Sequence, residues 1–318
     1  MKNKLAIIAA LCAMAALLMS TTEVISCCRG ALSLCLELIM PSLFPFFVMS
    51  GLLNRLGFPM YLGKLLSPAA ARLFNVSGAG ASAFFIGITG GYPMGAAYIA
   101  EMHERGQVSS EEASKLLAFC NNSGPAFIIG AVGAGIFHSA SVGIMLYAVH
   151  IAAALITGVL LRGKSEIPCS PIAAHIPESI KTALPEAVRQ SVVSTLNVCG
   201  FVVCFTVFTG LLDAWGLFSG LAGLISSEFG LELHFVRAAL TGLLELGSSV
   251  GAMRGLNVNA LNLSLAAAIL GWGGISVHFQ TAAVLADSEI KTAPHMAGRI
   301  ICAVIGAALA YILGAIVF

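Results

Sequence analysis

The sequence predicts an all-α polytopic membrane protein made of two inverted-topology repeats, with re-entrant hairpins and broken transmembrane helices. Three observations predict it. Of the 318 residues 58% are hydrophobic and 10% charged, with a mean hydropathy of +0.95, whereas an average soluble chain is about a quarter charged. Residues Cys120-Asn121-Asn122-Ser123-Gly124-Pro125-Ala126-Phe127 put amides, a hydroxyl and a Gly-Pro break inside an apolar stretch long enough to cross a bilayer. Lys and Arg, finally, are distributed unevenly between the two sides that the spans define.

Taken in order, residues 5–21, with Lys2 and Lys4 ahead of them, read as an uncleaved first helix rather than a signal peptide. Further spans fall at about 30–53, 113–137, 139–161, 190–212, 260–286 and 295–318. Pro41 and Pro45 in the second span are shape residues. Segments 77–100 and 236–254 are apolar but crowded with glycine, poor material for one straight helix. The first reads as a re-entrant hairpin turning near Gly90 to Pro93, and the second resembles it through Gly247-Ser248-Ser249-Val250-Gly251-Ala252.

With the N-terminus cytoplasmic and both glycine-rich segments re-entrant, the cytoplasmic side holds Lys2, Lys4, Arg55, Lys64, Arg72, Arg105, Lys115, Arg162, Lys164, Lys181, Arg189, Lys291 and Arg299. The outside keeps Arg29, Arg237 and Arg254, three of the sixteen basic residues. Making only the first hairpin a true span would move Arg162 and Lys164 outside, so the charges favour re-entry.

In this topology 30–53 and 190–212 run in opposite directions. Ser50-Gly51-Leu52-Leu53 echoes Thr209-Gly210-Leu211-Leu212, Gly95-Ala96 echoes Gly251-Ala252, and the break ending at Phe127 echoes Gly273-Gly274-Ile275-Ser276-Val277-His278-Phe279. The offsets (210 − 51 = 159, 251 − 95 = 156, 279 − 127 = 152) drift slowly while the order holds, as in a diverged, inverted duplication. The predicted organisation is 1–29, first helix and outer loop; 30–161, first repeat; 162–189, a cytoplasmic linker rich in proline, with an interfacial helix over 176–188; and 190–318, second repeat.

Net charge is +1 and no basic run occurs, which removes the electrostatic case for nucleic acid. The nine cysteines show neither zinc nor thioredoxin spacing, so no metal and no cofactor is expected. The expected partners are the lipid bilayer, a small solute, a coupling proton or cation, and a second copy of the chain in a homo-oligomer.

Ser42-Leu43-Phe44-Pro45-Phe46-Phe47, Gly91-Tyr92-Pro93-Met94-Gly95-Ala96 and Cys120-Asn121-Asn122-Ser123-Gly124-Pro125 resemble the YlbJ family of sporulation integral membrane proteins, over nearly the whole chain. That family is similar to the wider nucleoside-recognition, or Gate-domain, superfamily, which includes concentrative nucleoside transporters. The resemblance implies an inverted-repeat transporter-like fold in a bacterial cytoplasmic or forespore membrane. It also implies a role in spore maturation and passage of dipicolinate, an anionic heteroaromatic, or of a nucleoside-like solute. Gly247-Ser248-Ser249 departs from the Thr-Asn-Gly type of sequence expected after Glu245, which leaves the second-half site less defined.

The residues themselves point the same way. Ser123-Gly124-Pro125 suits the start of a half helix, whose free N–H groups favour an anion; Gly124 permits close approach, and Asn121 and Asn122 can read a polar edge. At the hairpin tip, Gly91, Tyr92 and Pro93 are candidates, Tyr92 either stacking on an aromatic solute or anchoring at the interface. Glu245, among Leu243, Leu244 and Leu246, is costly if ionised and unpaired, and reads as a proton or cation site or a direct solute contact. The alternative pairs it with Arg254. Ser248, Ser249, Ser276 and His278 complete the solute-binding set, Glu37 is a weaker candidate, and His138 and His150 read as packing residues. A hydrolase using Ser123 lacks a recognisable base signature, so the chain reads as a non-enzyme; a non-transporting scaffold of a sporulation complex is the alternative function.

Overall fold

A computed structural model describes residues 2–163 and 178–318. Their regular structure is all helical, with no strand among the described residues. Five helices are long and apolar enough to cross a membrane, or six if one bent pair counts as a single span. The chain is an all-α polytopic membrane protein, its exterior lined by side chains such as Leu5, Leu36, Leu65, Leu196 and Ile316 that only lipid suits.

Helix α1 (Lys2–Met19) is followed after Ser20 by α2 (Thr21–Arg55), so residues 22–29 are helical rather than an outer loop. Within α2 a π-helical turn covers Cys35–Ile39, just ahead of Pro41. A proline cannot donate to the carbonyl four residues back, and the wider turn absorbs the mismatch. Helix α3 (Phe58–Phe74) starts from Gly57 in the left-handed region and meets α4 (Gly78–Gly90) at 95°.

Helix α5 (Met94–Glu104) returns beside α4, and α6 (Ser110–Cys120) follows. Ser77 caps α4 through Gly80 N, and Ser109 caps α6 through Glu112 N. The Glu112 carboxylate accepts from Ser77 N at 2.6 Å, which ties the entry of α4 to the start of α6, just after the exit of α5. The α4–α5 pair therefore enters and leaves at one end of the molecule with its tip at Gly91–Pro93, as the glycine pattern predicts. A break at 121–125 leads into α7 (Ala126–Ile136), which is π-helical, and then α8 (Ala140–Leu160).

Helix α9 (Ile180–Ala214) is one 35-residue helix, so positions 180–188 of the expected interfacial helix continue into the span, and 176–177 lie outside the described residues. Helices α10 (Leu217–Phe229), α11 (Leu233–Leu244), α12 (Leu246–Ala252), α13 (Ala260–Trp272), α14 (Gly274–Val284) and α15 (Ala293–Val317) follow. His234 Nε2 lies 2.7 Å from Ala252 O, so the start of α11 meets the end of α12 and their tip is Glu245. Neither α3 nor α10 stands among the spans expected from hydropathy.

The two halves pass through one order of elements. A long helix (α2 or α9) ends at a left-handed glycine, Gly57 or Gly216. There follow a short helix (α3 or α10) closed by left-handed Asn75 or Gly230, a hairpin (α4–α5 or α11–α12), a broken pair (α6–α7 or α13–α14) and a long helix (α8 or α15).

Loops 75–77, 105–109, 162–163 and 286–292 gather at one end, where Lys115 Nζ bonds Asn75 O at 2.7 Å and Ser110 Oγ bonds Glu289 O at 2.9 Å. Helix α15 crosses α6 so closely that a Cβ at Gly298 would lie 2.0 Å from Ala118 O. Only glycine allows that approach, and it brings the next residue, Arg299, to the end of α6.

Candidate functional site

Each hairpin tip leans on a helix break by backbone contact. At Gly91 (φ +80°) a Cβ would lie 2.9 Å from Gly124 N; at Gly274 (φ +80°) it would lie 3.0 Å from Leu246 N. Between the two junctions is a cavity of about 40 Å³, lined by Gly91, Tyr92, Ser123 and Gly124 from one half and by Glu245, Leu246, Gly247 and Gln280 from the other. Ile39, Leu43, Phe127, Val198, Val202 and Val277 supply its apolar walls. It has room for water rather than for a solute, since ligand sites run to roughly 300 Å³ or more.

Glu245 is 2% exposed and ends α11 in an extended conformation. Its carboxylate caps α12: Oε1 accepts from Gly247 N at 2.8 Å and Oε2 from Ser248 N, while Ser276 Oγ donates to Oε1 at 3.4 Å. No basic side chain forms an ion pair with it among the described residues, so pairing with Arg254 does not occur. Its two oxygens are thus satisfied by backbone N–H groups of α12 rather than by a cation.

Arg299 corrects the charge assignment. Counted above among the basic residues at the cytoplasmic ends of the spans, it lies within α15 and is 0% exposed. Nη1 donates to Tyr92 Oη and to Asn122 Oδ1, both at 3.0 Å, and Nη2 to Ala118 O at 3.1 Å, while Nε has no partner. All its acceptors are neutral. The C-terminal end of α6 offers partial negative charge of about half a unit, and no carboxylate pairs with the guanidinium among the described residues. A fully buried cation without a counter-ion costs several kcal/mol.

Asn121, also fully buried, accepts from Ala96 N at 3.2 Å through Oδ1, and its Nδ2 lies 3.0 Å from Thr281 Oγ1 and 3.2 Å from His295 Nε2. His295 Nδ1 lies 3.2 Å from His278 Nδ1, and the His278 ring sits 4.3 Å from that of Trp272. Asn122 Nδ2 donates to Phe119 O at 2.7 Å, and Ser123 N donates to His150 Nε2 at 3.2 Å. His150 is thus a partner of the break rather than simple packing.

Of the predicted solute-binding residues, Gly91, Tyr92, Ser123, Gly124 and Glu245 line the cavity, and Asn121 and Asn122 stand behind it on the bonds to α14 and α15. Pro93 shapes the tip, and Ser276 holds Glu245. Ser248 turns away to Thr206 Oγ1 at 2.7 Å, and Ser249 bonds Leu246 O within α12. His278 joins the polar cluster through His295. Glu37 lies apart, taking the Ser33 hydroxyl at 2.6 Å.

Sequence reasoning missed Arg299, His295, Gln280 and Thr281. A signal existed: the buried residues His295, Gly298, Arg299, Cys302, Gly306, Ala310 and Gly314 form one small-and-polar stripe at helical spacing. Arg299 sits on the protein-facing stripe rather than in a loop.

The chain is 31% identical over 310 residues to the sporulation integral membrane protein YlbJ of Bacillus subtilis (strain 168), covering 90% of this chain and 76% of that relative. It belongs to the YlbJ family. As a YlbJ-family member it is an integral membrane homologue of a sporulation protein, and the Gly91–Ala96 and Cys120–Pro125 motifs that carry the resemblance are the tip and the break that meet at the cavity. No family model and no solved structure matches the chain.

Proposed function

We propose that this YlbJ-family protein is a transporter or facilitator for a small anionic solute, acting in spore maturation by alternating exposure of the central cavity. The observation that carries this reading is the meeting of two hairpin tips and two helix breaks at one cavity, with Arg299 buried behind Tyr92 and no acid among the described residues paired to it. Broken helices and non-helical backbone are tolerated at membrane depth where they line a wet path, and half-helix ends suit ions. The repeated order of elements, with Gly57 and Gly216 in equivalent left-handed turns, supports an inverted duplication of 30–161 and 190–318.

A cation without a counter-ion favours a carboxylate over a neutral nucleoside, so a dipicolinate-like solute fits better than a nucleoside-like one. Tyr92 lines the cavity and its hydroxyl takes Arg299's bond, which suits it to meet an aromatic solute. We read the chain as a non-enzyme: His150 takes the backbone N–H of Ser123, not its hydroxyl. The bacterial cytoplasmic or forespore membrane is the proposed location.

The test is flux of dipicolinate and of uridine into liposomes carrying the purified protein. Dipicolinate entry above protein-free vesicles supports the reading. Entry of neither solute, with normal spore maturation in cells carrying Asn121→Ala and Glu245→Gln, would favour the scaffold instead.

A further inference from the structure

The hydrogen bonds through Asn121, His295 and His278 run in one direction. Ala96 N–H fixes Asn121 Oδ1 as an acceptor, so Asn121 Nδ2 is the donor facing His295 Nε2. His295 then carries its proton on Nδ1 and gives it to His278 Nδ1. His278 must carry its own proton on Nε2, and that atom is buried with no partner among the described residues. Neutral rings account for every bond in the chain and leave one free donor at its end.

We propose that His278 and His295 form a proton site, and that the proton they take up travels with the anion. This rests on the transport reading above. A proton from water that lands on His278 Nδ1 faces His295 Nδ1–H. If His295 answers by shifting its own proton to Nε2, that N–H faces the Asn121 amide. Either way one bond of the chain breaks, His278–His295 in the first case and His295–Asn121 in the second, and the second frees the Asn121 amide that also holds Ala96 beside the first hairpin tip. In the second case protonation acts on Asn121, two residues before Ser123 at the cavity, with one proton gained from bulk water and no other group consumed.

The charged and titratable groups around the pair decide which ligand goes with the proton. Arg299 lies one turn beyond His295 on α15, and it donates to Tyr92 of the hairpin and Asn122 of the break. His150 of α8 is engaged by Ser123 N. Glu245, at the head of α12, is held by its own helix and by Ser276. Arg237 of α11 is committed to Asp213 of α9, and Glu101 of α5 to Arg105. No carboxylate pairs with either ring among the described residues. A protonated pair beside Arg299 gathers positive charge that an anion in the cavity offsets, so anion and proton favour one another's binding.

Liposomes carrying the protein, with membrane potential clamped by potassium and valinomycin, test this using dipicolinate as probe. With an acid exterior one pH unit below the lumen, wild type should accumulate the probe about tenfold inside for each proton carried. Whatever rate of flux His278→Gln and His295→Gln retain, they should bring the probe only to equal concentrations on the two sides. Wild-type flux without accumulation overturns the proton site while transport stands, and accumulation by both variants as in wild type moves the site elsewhere. No wild-type flux above protein-free vesicles overturns the transport reading itself and the inference with it.

Discussion

Arg299 on the last helix donates a 3.0 Å hydrogen bond to the hydroxyl of Tyr92, 207 positions earlier at the tip of the first hairpin. One bond thus joins the two halves at the edge of the cavity. Its removal separates two roles for the arginine. Arg299→Met should cut dipicolinate flux at least tenfold while changing thermal stability modestly, because an apolar side chain of similar length removes a buried charge as well as its bonds. Arg299→Lys should recover part of the flux, since a compact ammonium cannot reach Tyr92, Asn122 and Ala118 together. An arginine that only staples helices would show loss of stability in step with loss of flux.

Tyr92→Phe removes the hydroxyl but keeps the aromatic wall. Arg299 Nη1 then keeps only Asn122 as acceptor, and loss of a charge-assisted bond costs about 1.5–3 kcal/mol. Probe affinity, read by calorimetry on the detergent-solubilised protein, should fall by about tenfold or more, and unchanged affinity would show that the phenol does not position Arg299 for the anion.

Glu245→Gln keeps one acceptor oxygen for the two N–H groups that start α12. Loss of a cap interaction destabilises by about 0.5–2 kcal/mol, so a fall in melting temperature of a few degrees is expected, with a larger fall for Glu245→Ala. Flux in the Gln variant that drops much more than its stability would place the carboxylate in solute or ion handling; flux at wild-type level would confine it to capping.

Gly298→Ala places a methyl 2.0 Å from Ala118 O, against backbone that cannot yield as a side chain can. Overpacking costs about 1–3 kcal/mol. The variant should melt lower and lose flux together, because α15 must move off α6 and carry Arg299 with it. Gly130→Ala, where a Cβ meets nothing within 4 Å, is the control and should behave as wild type.

Much of this fold is legible in the sequence, because lipid imposes strict rules. The break at 121–125 announces itself by polarity, the first hairpin by glycine and proline, and each is where the structure puts a helix end. Helices α3 and α10 escape hydropathy because they are short, and α3 carries Lys64 and Arg72. Arg299 escapes for a different reason. Counting basic residues treats each as a loop anchor, and only the face it shares with Gly298, Cys302 and Gly306 shows that it points inward. His295, four residues before it, lies on the same buried face.

The most direct test compares dipicolinate entry into liposomes bearing wild type, Arg299→Met and Gly130→Ala, each at matched protein density. The account predicts saturable entry with wild type and Gly130→Ala, and entry at least tenfold slower with a folded Arg299→Met. Equal entry by wild type and Arg299→Met would contradict an anion site organised by the buried arginine.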